Sequence, residues 1–154
     1  MVVAANRVLK AKTMPTMFLT LCLMQWDIKS KKFGYVSAGH EQILHFKKSS
    51  GKAEFRPAGG IALGMLGDVS KHITLNEIDL QSGDFLVIYS DGIPECWQSE
   101  GVLYGFDRLL KIAEDSSGLG SAVDIQSAIL ADVKAFAQNH KQMDDITIMV
   151  IRKL

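Results

Sequence analysis

The sequence predicts an α+β fold in which sheet packs on sheet and amphipathic helices lie on the outside. Strand patterns outnumber helix patterns in the first two thirds of the chain, and short turns join them, which favours mainly antiparallel sheets. Two amphipathic helix patterns follow late, between Phe106 and Phe136, and each needs a sheet face to cover its apolar stripe. With 154 residues, 47% of them hydrophobic, the chain is long enough for a full core.

The first half of the chain contains one helix pattern followed by strand patterns separated by turns. The predicted elements are a helix over residues 2–11 and strands over residues 17–26, 33–37, 44–47 and 53–56. Leu44 and Phe46 alternate with the polar His45 and Lys47, so we expect His45 on a solvent-facing side of its strand. His45, His72 and His140 all lie in polar contexts and carry no predicted function.

The second half of the chain alternates less regularly and then becomes helical. Predicted elements are strands over 73–80, with a bulge near Asn76, over 85–89 and over 146–151, and helices around 106–113 and 122–136. The segment 85–89 is apolar at every position, which is typical of a central strand covered on both faces. Ser121 and Asp124 have the spacing of a helix cap.

Composition and charge exclude several classes of function. The 17 basic and 17 acidic side chains cancel, so no field favours nucleic acid or an anionic membrane as a partner. The apolar stretch from Met14 to Trp26 contains polar residues and is shorter than the ~20 residues of a membrane span. Without a signal-peptide pattern, the protein is expected in the cytoplasm. Cys22 and Cys96 lack metal-ligand spacing and are interpreted as reduced core thiols.

Three carboxylates flank the two most apolar strand patterns. Asp91 directly follows the strand that ends at Ser90, and Asp144 and Asp145 directly precede the last strand. If these strands are antiparallel neighbours, the three carboxylates converge, and a hard divalent cation would relieve their mutual repulsion. The alternative, that these are ordinary solvated turn residues, remains open at this point.

Five short motifs follow one another along the chain. They are Tyr35-Val36-Ser37-Ala38-Gly39-His40, Leu63-Gly64-Met65, the segment from Gly83 to Glu95, Tyr104-Gly105-Phe106 and Asp144-Asp145-Ile146-Thr147. In this order they resemble the motifs of the SpoIIE/RsbU-type bacterial phosphatases of the metal-dependent, PP2C-like superfamily. The resemblance extends from about Asn6 to Arg152, and the ordered set is much more specific than any one motif.

The resemblance implies an α-β-β-α sandwich with two Mn²⁺ or Mg²⁺ ions at one end and a metal-activated water as nucleophile. It assigns Asp91 and Asp144 as metal ligands in the catalytic centre and Asp145 as an alternative or supporting ligand. Gly92 would belong to the same centre and allow close backbone approach. His40 would contact substrate or orient a loop, and the alternative is a partly buried histidine with one backbone hydrogen bond.

One family motif is absent. The family carries an upstream Asp-x-x-Gly-His-Gly block whose Asp bridges the metals, and this sequence has none; the segment from Gly67 to His72 is interpreted as a loop. We therefore expect residues 1–154 to be a single PP2C-like phosphatase domain that is incomplete at its N-terminus and lacks its first strands. Either the chain is the C-terminal part of a longer protein, or the domain is naturally reduced. In both cases we expect weak metal binding by the isolated chain.

The resemblance implies a serine/threonine phosphatase acting on a phosphoprotein such as an anti-sigma-factor antagonist. An upstream sensor or regulatory domain is expected with it. The alternative is a catalytically incompetent, phosphatase-like regulatory or dimerisation module, favoured by the missing block and opposed by the retention of all three aspartates. If strands are missing, exposed sheet edges predict a homodimer.

Overall fold

The computed structural model describes residues 1–14, 16–138, 140 and 144–154, which form two compact units. The first unit comprises Met1–His40 and Pro57–Leu80, and the second comprises Glu41–Arg56 and Gln81–Leu154. Each unit has its own antiparallel sheet. The predicted α+β class with mainly antiparallel sheets is therefore confirmed.

Helices lie at the start and near the end of the chain, and most of the strands lie between them. In chain order the elements are α1 (Val2–Lys12), β1 (Leu21–Asp27), β2 (Lys32–Ala38), β3 (Ile43–Lys47), β4 (Lys52–Arg56), a 3₁₀ turn (Ser70–His72), β5 (Asn76–Ile78), β6 (Phe85–Tyr89), β7 (Trp97–Ser99), β8 (Val102–Leu103), α2 (Gly105–Asp115), α3 (Ala122–Ala137) and β9 (Ile148–Arg152).

The sheet of the first unit has the order β1-β2-β5, with β2 in the middle. Helix α1 is fixed through Asn6, whose side chain is fully buried. Its Nδ2 donates to the carbonyl oxygen of Leu66 at 3.0 Å, and the backbone N–H of Gly64 donates to its Oδ1 at 2.9 Å. A polar side chain thus joins α1 to the loop before the 3₁₀ turn, with its hydrogen bonds satisfied.

Two predicted strands of the first unit are too long. The strand predicted from Met17 begins only at Leu21, because Met17 and Phe18 are exposed and Leu19 forms a single bridge with Leu63. The strand predicted over residues 73–80 shrinks to β5. This is because only three residues of β2 pair with it, and Leu75 is left exposed.

The sheet of the second unit has the order β4-β3-β6-β9. All five residues of β6 are buried, as predicted for a central strand. Helices α2 and α3 pack on one another and on this sheet, and their apolar stripes contribute Leu109, Ile125 and Ile129 to the core. At the start of α3, the backbone N–H of Asp124 donates to Ser121 Oγ at 3.1 Å, which confirms the predicted cap.

The prediction of a solvent-facing His45 is wrong. His45 is fully buried in β3, because its ring finds two polar partners inside the unit. Nδ1 accepts from Arg56 Nε at 3.1 Å, and Nε2 lies 3.3 Å from Asp84 Oδ2. The short β7–β8 hairpin was not predicted, since its strands have only three and two residues and show no periodicity.

Candidate metal centre

The ends of β6 and β9 lie side by side. The two strands pair antiparallel, with Tyr89 opposite Ile148, so the chain leaves β6 next to where it enters β9. Asp91 follows β6, and Asp144 and Asp145 precede β9. The end of β6 and the start of β9 are therefore neighbours, as the sequence analysis assumed.

Ser90 connects these two strand ends through three hydrogen bonds. Its backbone N–H donates to the carbonyl oxygen of Thr147 at 3.0 Å, and its Oγ donates to the carbonyl oxygen of Asp145 at 3.0 Å. The same Oγ accepts from the backbone N–H of Thr147 at 2.9 Å. These three hydrogen bonds fix the backbone beside both carboxylate-bearing segments. Sequence reasoning missed this role, and the only signal was a hydroxyl residue between an apolar strand and Asp91.

Gly92 makes the closest backbone approach at this edge. A Cβ atom at position 92 would lie 2.5 Å from the carbonyl oxygen of Asp145 and 3.3 Å from Cγ1 of Ile146. Real Cβ atoms do not come this near to a backbone oxygen. The expectation of close backbone approach at Gly92 is thus confirmed, and its partner is the segment of Asp145.

The three carboxylates themselves are exposed, and they do not form one cluster. Asp144 Oδ1 accepts from the backbone N–H of Asp145 at 2.7 Å, which turns this carboxylate toward its own backbone. Within the described ranges, no three His, Cys, Asp or Glu side chains lie close enough together to hold a metal ion. The strand ends meet as predicted, but the convergence of all three carboxylates at one point is not observed.

The donor chemistry of this edge nevertheless fits a hard divalent cation. Asp91, Asp144 and Asp145 offer carboxylate oxygens at two adjacent strand ends, and the absence of a Cβ at Gly92 lets the backbone of Asp145 come close. Mg²⁺ and Mn²⁺ prefer oxygen ligands and are commonly held by one or two protein carboxylates together with water and phosphate. The oxygen chemistry of these aspartates therefore suits such an ion.

A cavity of about 580 Å³ opens beside the same edge. Gly92 and Asp144 belong to its rim, and α3 and the segment around Trp97 form its walls. The Trp97 ring stacks on the His140 ring, with centroids 6.4 Å apart. The sequence analysis gave His140 no function. It could not find the cavity, because the lining residues come from distant parts of the chain.

His40 lies at the end of the first unit, and its role in substrate contact stays a prediction. Its carbonyl oxygen accepts from Ser37 Oγ at 3.4 Å. The preceding Gly39 has a positive φ of 70°, and a Cβ there would lie 2.9 Å from the backbone nitrogen of Ala62. The small residues of the Ala-Gly-His motif therefore allow close backbone contact inside this unit.

Comparisons with known proteins agree with the motifs. The sequence pattern of the family described as Stage II sporulation protein E (SpoIIE) matches residues 1–154. The phosphoserine phosphatase RsbU of Bacillus subtilis is 29% identical over 153 residues, a match that covers 96% of this chain and 43% of RsbU. The chain thus spans less than half the length of this relative.

Solved structures show the same fold. The SiaA-PP2C domain of Pseudomonas aeruginosa aligns with a TM-score of 0.77 and 17% identity, over 96% of this chain and 56% of that one. The manganese-presoaked phosphatase domain of SpoIIE from Bacillus subtilis aligns with a TM-score of 0.66 and 18% identity, over 98% of this chain and 64% of that one.

No helix in the described ranges is both long and apolar enough to cross a membrane.

Proposed function

This chain belongs to the SpoIIE family, and from that membership we propose that it forms part of a metal-dependent serine/threonine phosphatase domain. The substrate class is a phosphoserine or phosphothreonine on a regulatory protein. The observation that carries the proposal is the antiparallel pairing of β6 with β9. Asp91 follows the end of β6, and the Asp144-Asp145 pair precedes the start of β9, so they lie at the same end of the sheet.

Each residue at this edge has a distinct part in the proposal. A divalent ion, when bound, supplies Lewis acidity and lowers the pKa of water. Asp91 and Asp144 are its ligands, and Asp145 is an alternative or supporting ligand. Ser90 holds the two segments in register through Asp145 and Thr147, and Gly92 lets them approach. Fixing donors before substrate arrives avoids the cost of ordering them during the reaction.

The substrate and the regulation of the whole protein are inferred from relatives. RsbU is named a phosphoserine phosphatase, and a solved structure from Mycobacterium tuberculosis joins an RsbU domain to an RsbW domain. We propose a phosphoprotein substrate such as an anti-sigma-factor antagonist, and a sensor or regulatory domain upstream. The share of RsbU that this chain covers, 43%, leaves room for such a domain.

The test is hydrolysis of p-nitrophenyl phosphate with and without Mn²⁺. It is measured on the 154-residue chain and on a version extended upstream by the natural coding sequence, each also as Asp91→Asn. We expect Mn²⁺-dependent turnover in the extended version and a loss of at least about 100-fold in Asp91→Asn, because a charged ligand is removed. Asp115→Asn at the end of α2, an exposed acidic residue whose carboxylate pairs with Lys111, is the matched control and should retain turnover.

Three other outcomes are informative. Turnover retained in Asp91→Asn would remove Asp91 from the ligand set. Full turnover in the 154 residues alone would show that the remaining carboxylates suffice. No turnover in any form would contradict the proposal and favour the regulatory or dimerisation module.

A further inference from the structure

The cavity beside the candidate metal centre has a wall of α3 residues on one helix face. Leu130, Val133, Lys134 and Ala137 have the spacing of neighbours along an α-helix, and all four line the cavity. Cys96, Trp97 and Ile146 add further apolar groups to the described lining. Its polar groups come from Glu95, Lys134, Gln138, His140 and Asp144. A volume of about 580 Å³ is within the range of cavities that bind organic ligands.

The cavity and the candidate metal centre share residues. Gly92 and Asp144 line the cavity and also belong to the segments beside the paired ends of β6 and β9. An extended peptide advances about 3.3 Å per residue. A chain that holds its phosphate at this edge therefore reaches the cavity within one to three residues.

The apolar groups of the cavity indicate its ligand better than the charges do. Among the described lining residues, Lys134 is the one Lys or Arg, and Glu95 and Asp144 are carboxylates, so charge does not favour an anion in the cavity itself. His140 stacks on Trp97 at the same cavity. The apolar lining favours a hydrocarbon side chain.

We propose that this cavity is the specificity site for the phosphoprotein substrate, and that it receives an apolar side chain within three residues of the phosphorylated serine or threonine. The proposal rests on the proposed phosphatase function. It adds to that function a recognition rule and names Trp97 and Ala137 as specificity residues.

The two tryptophans make binding measurable without catalysis. Trp97 lies in the cavity wall, and Trp26 lies in the first unit, where its ring packs on Phe33 with centroids 4.8 Å apart. Trp26→Phe keeps an aromatic ring there and leaves Trp97 as the single indole. The probes are two heptapeptides with a central phosphoserine, one flanked by three leucines on each side and the other by three alanines on each side.

We expect the leucine peptide to change Trp97 fluorescence and to bind about tenfold more tightly than the alanine peptide, since one buried apolar side chain supplies that much. Ala137→Leu fills the cavity and should reduce this preference to about twofold or less. Ala135→Leu is the matched control, because position 135 is exposed on the same helix and outside the cavity lining. Ala135→Leu should leave both the peptide preference and the hydrolysis of p-nitrophenyl phosphate unchanged.

Equal binding of the two peptides, or an unchanged preference in Ala137→Leu, would overturn the cavity proposal. If hydrolysis of p-nitrophenyl phosphate persists in that case, the proposed function stands alone. Conversely, a leucine preference that Ala137→Leu removes, without hydrolysis in any form, would support the peptide site and contradict the phosphatase proposal.

Discussion

At Gly92 in the candidate metal centre, the neighbouring backbone leaves no room for a Cβ atom. In Gly92→Ala the new Cβ would meet the carbonyl oxygen of Asp145 at 2.5 Å, and a backbone atom cannot rotate away as a side chain can. We expect a loss of about 1–3 kcal/mol in the free energy of unfolding, as for other overpacked sites. Urea denaturation measures this loss.

Gly118→Ala is the control for this experiment. A Cβ at position 118 would have no atom within 4 Å, so the free energy of unfolding should stay within about 0.5 kcal/mol of the unmodified chain. Equal stability of the two variants would show that the segments at Gly92 and Asp145 move apart freely.

His45 couples the stability of the second unit to pH. Burial lowers the pKa of its imidazole below the usual value, outweighing the opposing influence of Asp84, and Arg56 lowers it further. The folded state therefore keeps His45 neutral, with Nδ1 accepting from Arg56 and Nε2 facing Asp84. When the pH falls below about 6.5, His45 of the unfolded chain binds a proton. His45 of the folded chain binds a proton only at a lower pH, because its pKa is lowered.

The resulting contribution to stability is complete above pH ~6.5 and falls as the pH drops from there through the lowered pKa of folded His45. We expect urea unfolding between pH 5 and pH 8 to show this fall. His45→Gln should flatten the profile and cost about 1–3 kcal/mol at pH 8, since buried partners lose a hydrogen bond. In the control His72→Gln, an exposed residue, the fall should persist; its disappearance there instead would refute the role of His45.

At the scale of single elements, α3 depends on its N-terminal cap. Ser121 Oγ accepts from the backbone N–H of Asp124, one of the donors that a helix start leaves without a partner. Ser121→Ala should lower the free energy of unfolding by about 1 kcal/mol. Ser121→Thr keeps the hydroxyl, which also donates to Asp124 Oδ2 at 2.7 Å, and should lose less. If both variants lose the same amount in urea unfolding, the cap is not the cause.

The helices and the central strand were predictable because their signals are local. Helix α3 was predicted from its apolar stripe and cap, and β6 from five consecutive apolar residues. The β7–β8 hairpin was missed and β5 was predicted too long, because short edge strands depend on the neighbour they pair with rather than on their own periodicity.

At the scale of the whole molecule, exposed apolar residues of the first unit predict self-association. Phe18 is 63% exposed, and Met17, Leu19 and Met65 are each at least half exposed; β1 lies at the edge of its sheet. Unpaired edges and apolar patches favour pairing with a second copy. We expect a dimer by light scattering at high concentration, weakened in Phe18→Ser.

The control for this prediction is Ile28→Ser. Ile28 is equally apolar and 81% exposed, but it lies in the turn between β1 and β2. Dimerisation should survive this change. A monomeric mass of the unmodified chain at all concentrations would contradict the prediction.

Patterns along the chain were enough to predict the fold class, most of the elements and the family. Apolar periodicity and caps depend on neighbouring residues, and the order of the motifs is read directly from the sequence. Tertiary structure decided the rest. In the folded chain His45 is buried beside Arg56 and Asp84, and Ser90 donates a hydrogen bond to Asp145, 55 residues away in the sequence. Residues of α3 and Trp97 line one cavity. These contacts depend on which distant strands and helices become neighbours, and no local pattern records that choice.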